Sequence, residues 1–223
     1  MRLVLASNNA KKLAELQTLL APAGIELVAQ RVLGVSEADE PYPTFIENAL
    51  AKARHAARAV GGAALADDSG LCVDALGGAP GVRSAHFADI ADIANIAGMA
   101  RATASESRID REARRTLQDA ANNPRLLERL QGVADRRARF VGTLVAVRSA
   151  DDPEPLVAVG RWFGEIATVP RGAGGFGYDA CVFIAALGRT VAELDRDTKN
   201  RLSHRALAAT QMMALMREAW RLG

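Results

Sequence analysis

Two adjacent carboxylates, Asp67 and Asp68, stand between an apolar run, residues 63–66, and a glycine-punctuated stretch that continues to Gly81. Neighbouring acids suit a hard divalent cation such as Mg2+, which takes oxygen ligands, keeps several waters and bridges to substrate phosphates. The apolar run has the length of a short buried strand and Ser69-Gly70 is a turn signal, so the acids are expected at a strand's carboxyl end. Open α/β sheets bind ligands at such ends. An Asp-Ser-Gly sequence also simply turns a chain, so the rest of the sequence has to decide between the two.

Other residue groups fit the chemical reading. Ser7, Asn8, Asn9, Ala10, Lys11 and Lys12 follow an apolar run and lead into a leucine-striped segment. A strand, polar loop and helix start offer backbone N–H groups to an anion, with Ser7 and Asn9 adding side-chain donors and Lys12 a charge. There is no glycine-rich Walker pattern. An ordinary N-cap by Ser7, Asn8 or Asn9 accounts for the same residues. Asn48, Lys52 and His55 share one side of a predicted helix, where Lys52 either reaches a phosphate or is a solvated lysine. Glu40, in an acidic loop, is a third carboxylate available to complete a metal site with Asp68. In residues 172–180, closely spaced glycines let the backbone approach a ligand, while Phe176 and Tyr178 either stack on a nucleobase or turn into the core. Ser203 is a natural N-cap for a last helix, with His204 and Arg205 in its first turn and Lys199 just upstream.

These groups need a scaffold. Residues 2–6 and 25–29 read as strands and residues 12–20 as a helix with Leu13, Leu16, Leu19 and Leu20 on one face. Thr44 and Glu47 form a capping box for a helix whose apolar stripe is Phe45, Ile46, Ala49, Leu50, Ala53, Ala57 and Val60, ending at Gly61-Gly62. Residues 140–147 and 156–167 read as neighbouring strands, and residues 88–121 as a helical excursion added to the core, its charged portion a solvated face. The 223 residues, 49% hydrophobic and 24% charged, suffice for one sizeable core, as a single domain or two joined lobes. A net charge of +2 is too small to make nucleic acid or a membrane surface the main partner. Cys72 and Cys181 show neither disulfide nor metal-ligand spacing and read as buried thiols in a reducing cytoplasm. No stretch is long enough to span a bilayer, and residues 3–6 are too short for a signal peptide.

Taken in order, SNNAKK (7–12), TFIENALAKARHAA (44–57), ADDSGLCVDALGGAPGVRSA (66–85), GGFGYD (174–179) and SHR (203–205) resemble the inosine/xanthosine triphosphate pyrophosphatase family, also called Ham1-like, whose members are house-cleaning enzymes for non-standard purine nucleotides. The resemblance runs over nearly the whole chain. It implies an α/β fold, an elongated mixed sheet with two lobes flanking a central cleft, assembled as a homodimer. It further implies one pyrophosphatase domain over residues 1–223, with a helical insertion at about 88–121. By the same resemblance Ser7, Asn8, Asn9, Ala10, Lys11 and Lys12 bind the triphosphate and Lys52 faces the phosphates. Glu40 and Asp68 match the metal-binding acids, Asp68 is also the proton acceptor, and Ser69 contacts substrate. Phe176, Gly177, Tyr178, Asp179, Lys199, His204 and Arg205 match the base-side contacts. The chain departs from the family in having Ala180 where proline is common, and in the length of the 88–121 segment.

The reaction so implied is Mg2+-assisted hydrolysis between the α- and β-phosphates of ITP, dITP or XTP, giving the monophosphate and pyrophosphate. Lys12, Lys52 and Lys199 stabilise developing negative charge while Asp68 accepts a proton from the attacking water. Donors from His204 and Arg205 suit the 6-oxo group of hypoxanthine and xanthine and leave adenine mismatched. Each unpaired buried polar group costs on the order of 1–3 kcal/mol, roughly tenfold to a few hundredfold in discrimination. Guanine shares the 6-oxo group, so its rejection rests on the 2-amino group. Two rivals make different predictions. An aspartyl-phosphate enzyme releases inorganic phosphate first, and a nucleotide sensor binds without turnover. Nucleic-acid binding through residues 101–115 is disfavoured by the interspersed acids.

Overall fold

The computed structural model describes residues 1–88 and 111–221. Its strands are Arg2–Leu5 (β1), Glu26–Ala29 (β2), Ala64–Val73 (β3), Arg137–Val147 (β4), Leu156–Ile166 (β5), Val182–Ile184 (β6) and Arg189–Thr190 (β7). They form one sheet in the order β2-β1-β3-β4-β5-β6-β7. The sheet is mixed: β1 is parallel to β2 and β3, whereas β6 is antiparallel to β5 and β7. The α-helices are Ala10–Leu20 (α1), Phe45–Val60 (α2), Arg111–Arg129 (α3), Arg196–Leu202 (α4) and His204–Ala219 (α5). Among the described residues, no helix is long and apolar enough to cross a membrane.

The chain divides into two compact units, one of Met1–Ser69, Phe140–Trp162 and Arg196–Gly223, the other of Gly70–Arg139 and Phe163–Asp195. In the first, the period-2 alternation of strand side chains builds two cores. Leu3 and Leu5 of β1, Leu65 of β3 and Leu144 of β4 share one cluster with Leu16 and Leu20 of α1 and Met212 and Met216 of α5. Their sequence neighbours Val4, Ala64, Ala66, Val145 and Val147 join the other, which α2 covers with Ala49, Ala53, Ala56 and Ala57. Ile46, expected in the stripe of α2, is 45% exposed, and Asn48 and Lys52 are buried in its place.

Two boundaries differ from the sequence reading in ways that bear on chemistry. No turn forms at Ser69-Gly70. Instead β3 runs on to Val73, so Asp67 and Asp68 are the fourth and fifth of its ten residues rather than its end. Gly70 is there for close packing: a Cβ at this position would collide with the Gly81 carbonyl and Ser84 Oγ. Lys199 also belongs to a short helix, α4, that the sequence did not signal.

In the second unit α3 continues past residue 121 and buries Gln118, Ala121, Asn122 and Leu126. Gln118 and Ala121 of the supposed excursion are therefore interior, while residues 89–110 lie outside the described residues. Asn122 donates from Nδ2 to the Ser84 carbonyl at 3.1 Å and accepts from Ala88 N–H at 2.8 Å. Gln118 donates to the Ala88 carbonyl at 3.0 Å. Cys72 and Cys181 are buried and form no disulfide among the described residues.

Candidate active site

The side-chain alternation of β3 sends the two neighbouring acids to opposite faces of the sheet. Asp67 follows Leu65 to the face covered by α1 and α5, and Asp68 follows Ala66 to the face covered by α2. They consequently accept hydrogen bonds from different cations. Asp67 Oδ1 accepts from Lys12 Nζ at 2.9 Å and Asp67 Oδ2 from Arg205 Nε at 2.7 Å. Burial works against the Asp67 carboxylate, but Lys12 and Arg205 outweigh it and hold the group far below the usual carboxylate range. Burial lowers Lys12, with Asp67 opposing and the nearby Arg205 and Lys52 charges adding to the decrease.

On the other face Lys52 Nζ lies 3.0 Å from Asp68 Oδ1 and 3.2 Å from Glu40 Oε1. Lys52 is not the solvated lysine that its position allowed: its side chain is 9% exposed. Burial would lower it, yet Asp68 and Glu40 together raise it and keep the ammonium charged. Asp68 is pushed up to about 6, by burial first and by the Glu40 charge, against the pull of Lys52 and Lys12. Its second oxygen, Oδ2, is buried without a hydrogen-bond partner among the described residues. Asn48 fixes the segment carrying Glu40, accepting from Tyr42 N–H at 2.9 Å and donating to its carbonyl at 3.0 Å.

Among the described residues no three His, Cys, Asp or Glu side chains form a metal-binding group. Glu40 and Asp68 nevertheless fit one kind of ion. Two carboxylates reached by one ammonium, one of them with an orphaned buried oxygen, match a cation that takes one or two carboxylates and completes its shell with water and phosphate oxygens.

The segment before α1 is both a cap and a polar loop. Asn9 is the N-cap, its Oδ1 accepting from Lys11 and Lys12 N–H at 3.0 and 3.2 Å, and α1 starts at Ala10 rather than Lys12. Ser7 Oγ accepts from Asn9 N–H at 3.2 Å, and Asn8 donates to Glu37 Oε1 at 2.9 Å. Glu15, one turn along from Lys12, is a further member of this cluster. It lies 3.1 Å from Lys199 Nζ and accepts from Arg205 Nη1 at 3.0 Å, while Arg205 Nη2 donates to Ser69 Oγ at 2.7 Å. Its place three residues after Lys12 on a leucine-striped helix was the available signal.

Ser203 caps α5, accepting from Ala206 N–H at 3.2 Å. His204 is buried and stacks on Phe140 with ring centroids 5.0 Å apart, its Nδ1 without a partner among the described residues. Burial, and secondarily the Arg205 charge, lowers its pKa well below the ordinary value, so the imidazole is neutral. Two glycines make room for it. A Cβ on Gly142 would stand 2.9 Å from His204 Cδ2, and one on Gly160 would collide with the His204 carbonyl. Glycines interrupting two apolar strands were the readable trace of this close approach.

In the second unit, residues 176–179 form a turn at whose centre Gly177 has φ 61°. Phe176 is half-buried, and its N–H donates to Asp179 Oδ2 at 2.9 Å. Tyr178 is 5% exposed and its hydroxyl donates to the Ser84 carbonyl at 2.9 Å. Of the two aromatics, Tyr178 has therefore turned into the core and Phe176 keeps a partly open face.

Comparison with known proteins matches residues 3–116 and 108–215 to the model of the Ham1 family. The chain is 69% identical over 225 residues to the dITP/XTP pyrophosphatase of Leptothrix cholodnii, with all of both chains covered. It is 63% identical to the dITP/XTP pyrophosphatase of Methylibium petroleiphilum, covering 99% of each. The solved structure of a HAM1 protein from Coxiella burnetii superposes with a TM-score of 0.81 at 39% identity, covering 98% of this chain and 100% of that one.

Proposed function

The chain belongs to the Ham1 family, and from that premise we infer that the buried acids and lysines around β3 are where it performs the family's chemistry. It is a hydrolase of nucleotide metabolism that converts non-standard purine nucleoside triphosphates, ITP, dITP and XTP, to the monophosphate and pyrophosphate. The observation that carries the proposed site is Asp68: a buried carboxyl pushed up to about 6, with Oδ2 unpartnered among the described residues and Oδ1 on Lys52. A group with these properties can take a proton near neutral pH.

In this reading Asp68 Oδ2 takes the proton of the water that attacks the α-phosphorus, and the α–β bridging P–O bond breaks to release pyrophosphate. Lys12, Lys52 and Lys199 stabilise the charge that grows on the phosphate oxygens. Ser7, Asn8, Asn9, Ala10 and Lys11 bind the triphosphate tail, with Ser69 beside it. Glu40 and Asp68 would hold Mg2+, which when bound neutralises phosphate charge and lowers the pKa of coordinated water. Phe176, Gly177, Tyr178, Asp179, His204 and Arg205 take the base side, Phe176 through its open face and His204 through Nδ1, which has no partner among the described residues. The 223 residues act as one pyrophosphatase domain, and the protein works in the cytoplasm, a reducing compartment that suits buried thiols.

Asp68→Asn tests the assignment. Turnover of dITP at saturating Mg2+ should fall by about 10²–10⁴; near-normal turnover would remove Asp68 from this role. Pyrophosphate as first product from ITP separates this chemistry from an aspartyl-phosphate route. The homodimer is also part of the proposal: sedimentation should give twice the chain mass of 23.6 kDa, and a monomer at all accessible concentrations would refute it.

A further inference from the structure

Consecutive side chains of α3 grip two different segments of the second unit. Asn122 holds the Ser84 carbonyl, which also accepts from the Tyr178 hydroxyl. Asn123 donates from Nδ2 to the carbonyl of Gly177 at 3.1 Å, in the middle of the 176–179 turn. The Asn123 amide is used on one side only, since its Oδ1 is buried with no partner among the described residues. Leaving an acceptor unsatisfied is costly, so the residue is spent on its N–H. What that N–H holds is the peptide at the centre of a turn that Asp179 N–H closes on the Phe176 carbonyl at 3.3 Å. Gly177 has positive φ and no side chain of its own to fix the outward direction of its carbonyl. Phe176 and Tyr178 are tied down on either side, by Asp179 and Ser84. Between them Asn123 restrains the Gly177 carbonyl.

We propose that Asn123 is a positioning residue for nucleobase selection. By orienting the Gly177 peptide it sets the direction in which the turn presents its backbone polar groups and the Phe176 face to a purine ring. This rests on the reading that residues 176–179 take the base side. Bases that differ by one donor or acceptor are distinguished by groups held in fixed directions, so a peptide released from its tether loses discrimination more than turnover.

The experiment compares kcat/KM for dITP and dGTP in the wild type, Asn123→Ala, Asn123→Asp and Phe176→Ala, with thermal melting of each. Asn123→Asp keeps the shape and removes the donor. Both Asn123 variants should lower kcat/KM for dITP by about tenfold, mainly through KM, the size expected for one lost hydrogen bond. They should also narrow the dITP-to-dGTP preference by about threefold or more, because the peptide loses its fixed direction. A purely structural contact would lower the melting temperature and leave that preference unchanged, and this result overturns the proposal. If Phe176→Ala changes the preference while both Asn123 variants do not, the inference about Asn123 fails and the base-side reading stands. If none of the three changes it, that reading fails and takes the inference with it.

Discussion

Asp67 has both oxygens committed, one to Lys12 and one to Arg205, and its side chain is completely buried. That arrangement makes it an anchor for two cations on the α1/α5 face rather than a partner of Asp68 in metal binding. Removing one member of a buried ion pair strands the charge of the others, typically at about 3–5 kcal/mol. Asp67→Asn is therefore expected to lose about 3–5 kcal/mol of unfolding free energy in urea denaturation, while the midpoint of Mg2+ activation stays where it was. A midpoint moved tenfold would instead place Asp67 among the metal ligands. The sequence supplied both acids but not this division of labour, because a pair of adjacent aspartates says nothing about which faces they take until the strand through them is known. Glu15 escaped notice for a similar reason: one acid on a leucine-rich helix has no local signature, and its two cations, Lys199 and Arg205, are distant in the chain.

Elements whose ends carry their own chemistry were legible. Thr44 caps α2, Ser203 caps α5, and Asn9 was among the three caps considered for α1. The leucine stripe of α1 and the strands around residues 2–6, 25–29, 140–147 and 156–167 also appear where hydrophobic periodicity put them. What the pattern could not show was continuation through polar residues. β3 carries Asp, Asp, Ser and Gly in succession and still runs for ten residues, because its partners and cations are supplied from elsewhere in the fold. For Lys52 the local pattern left both a phosphate contact and a solvated face open. Polar residues on an alanine-faced helix look solvated, yet Lys52 and Asn48 are buried because Glu40, Asp68 and the Tyr42 backbone satisfy them. Gly70, Gly142 and Gly160 were visible as glycines in strand-like sequence, but a glycine alone does not reveal what approaches it.

For the molecule as a whole, burying His204 in its neutral form couples folding to pH. The unfolded imidazole takes up a proton below about 6.5, whereas the folded one, lowered well below that value, does not. Stability therefore holds above about pH 6.5 and declines below it, by up to about 1.4 kcal/mol per pH unit from this group. Asp68, raised to about 6 in the fold, works in the opposite direction, adding stability as pH falls from about 6 towards the unfolded carboxyl value. The imidazole contribution is isolated by subtracting the unfolding free energies of His204→Gln from those of the wild type between pH 7 and 5. The difference should shrink as pH falls, and a constant difference would mean that His204 titrates alike in both states. A last consequence comes from the way β3 deals Asp67 and Asp68 to opposite faces. Inserting or deleting a single residue between Leu65 and Asp67 would exchange the two carboxylates between their cations and turn the strand's alanines and leucine into each other's cores. Length variation should be tolerated in connecting loops such as residues 148–155, but in this short segment only a change by two residues preserves the parity on which both charge clusters depend.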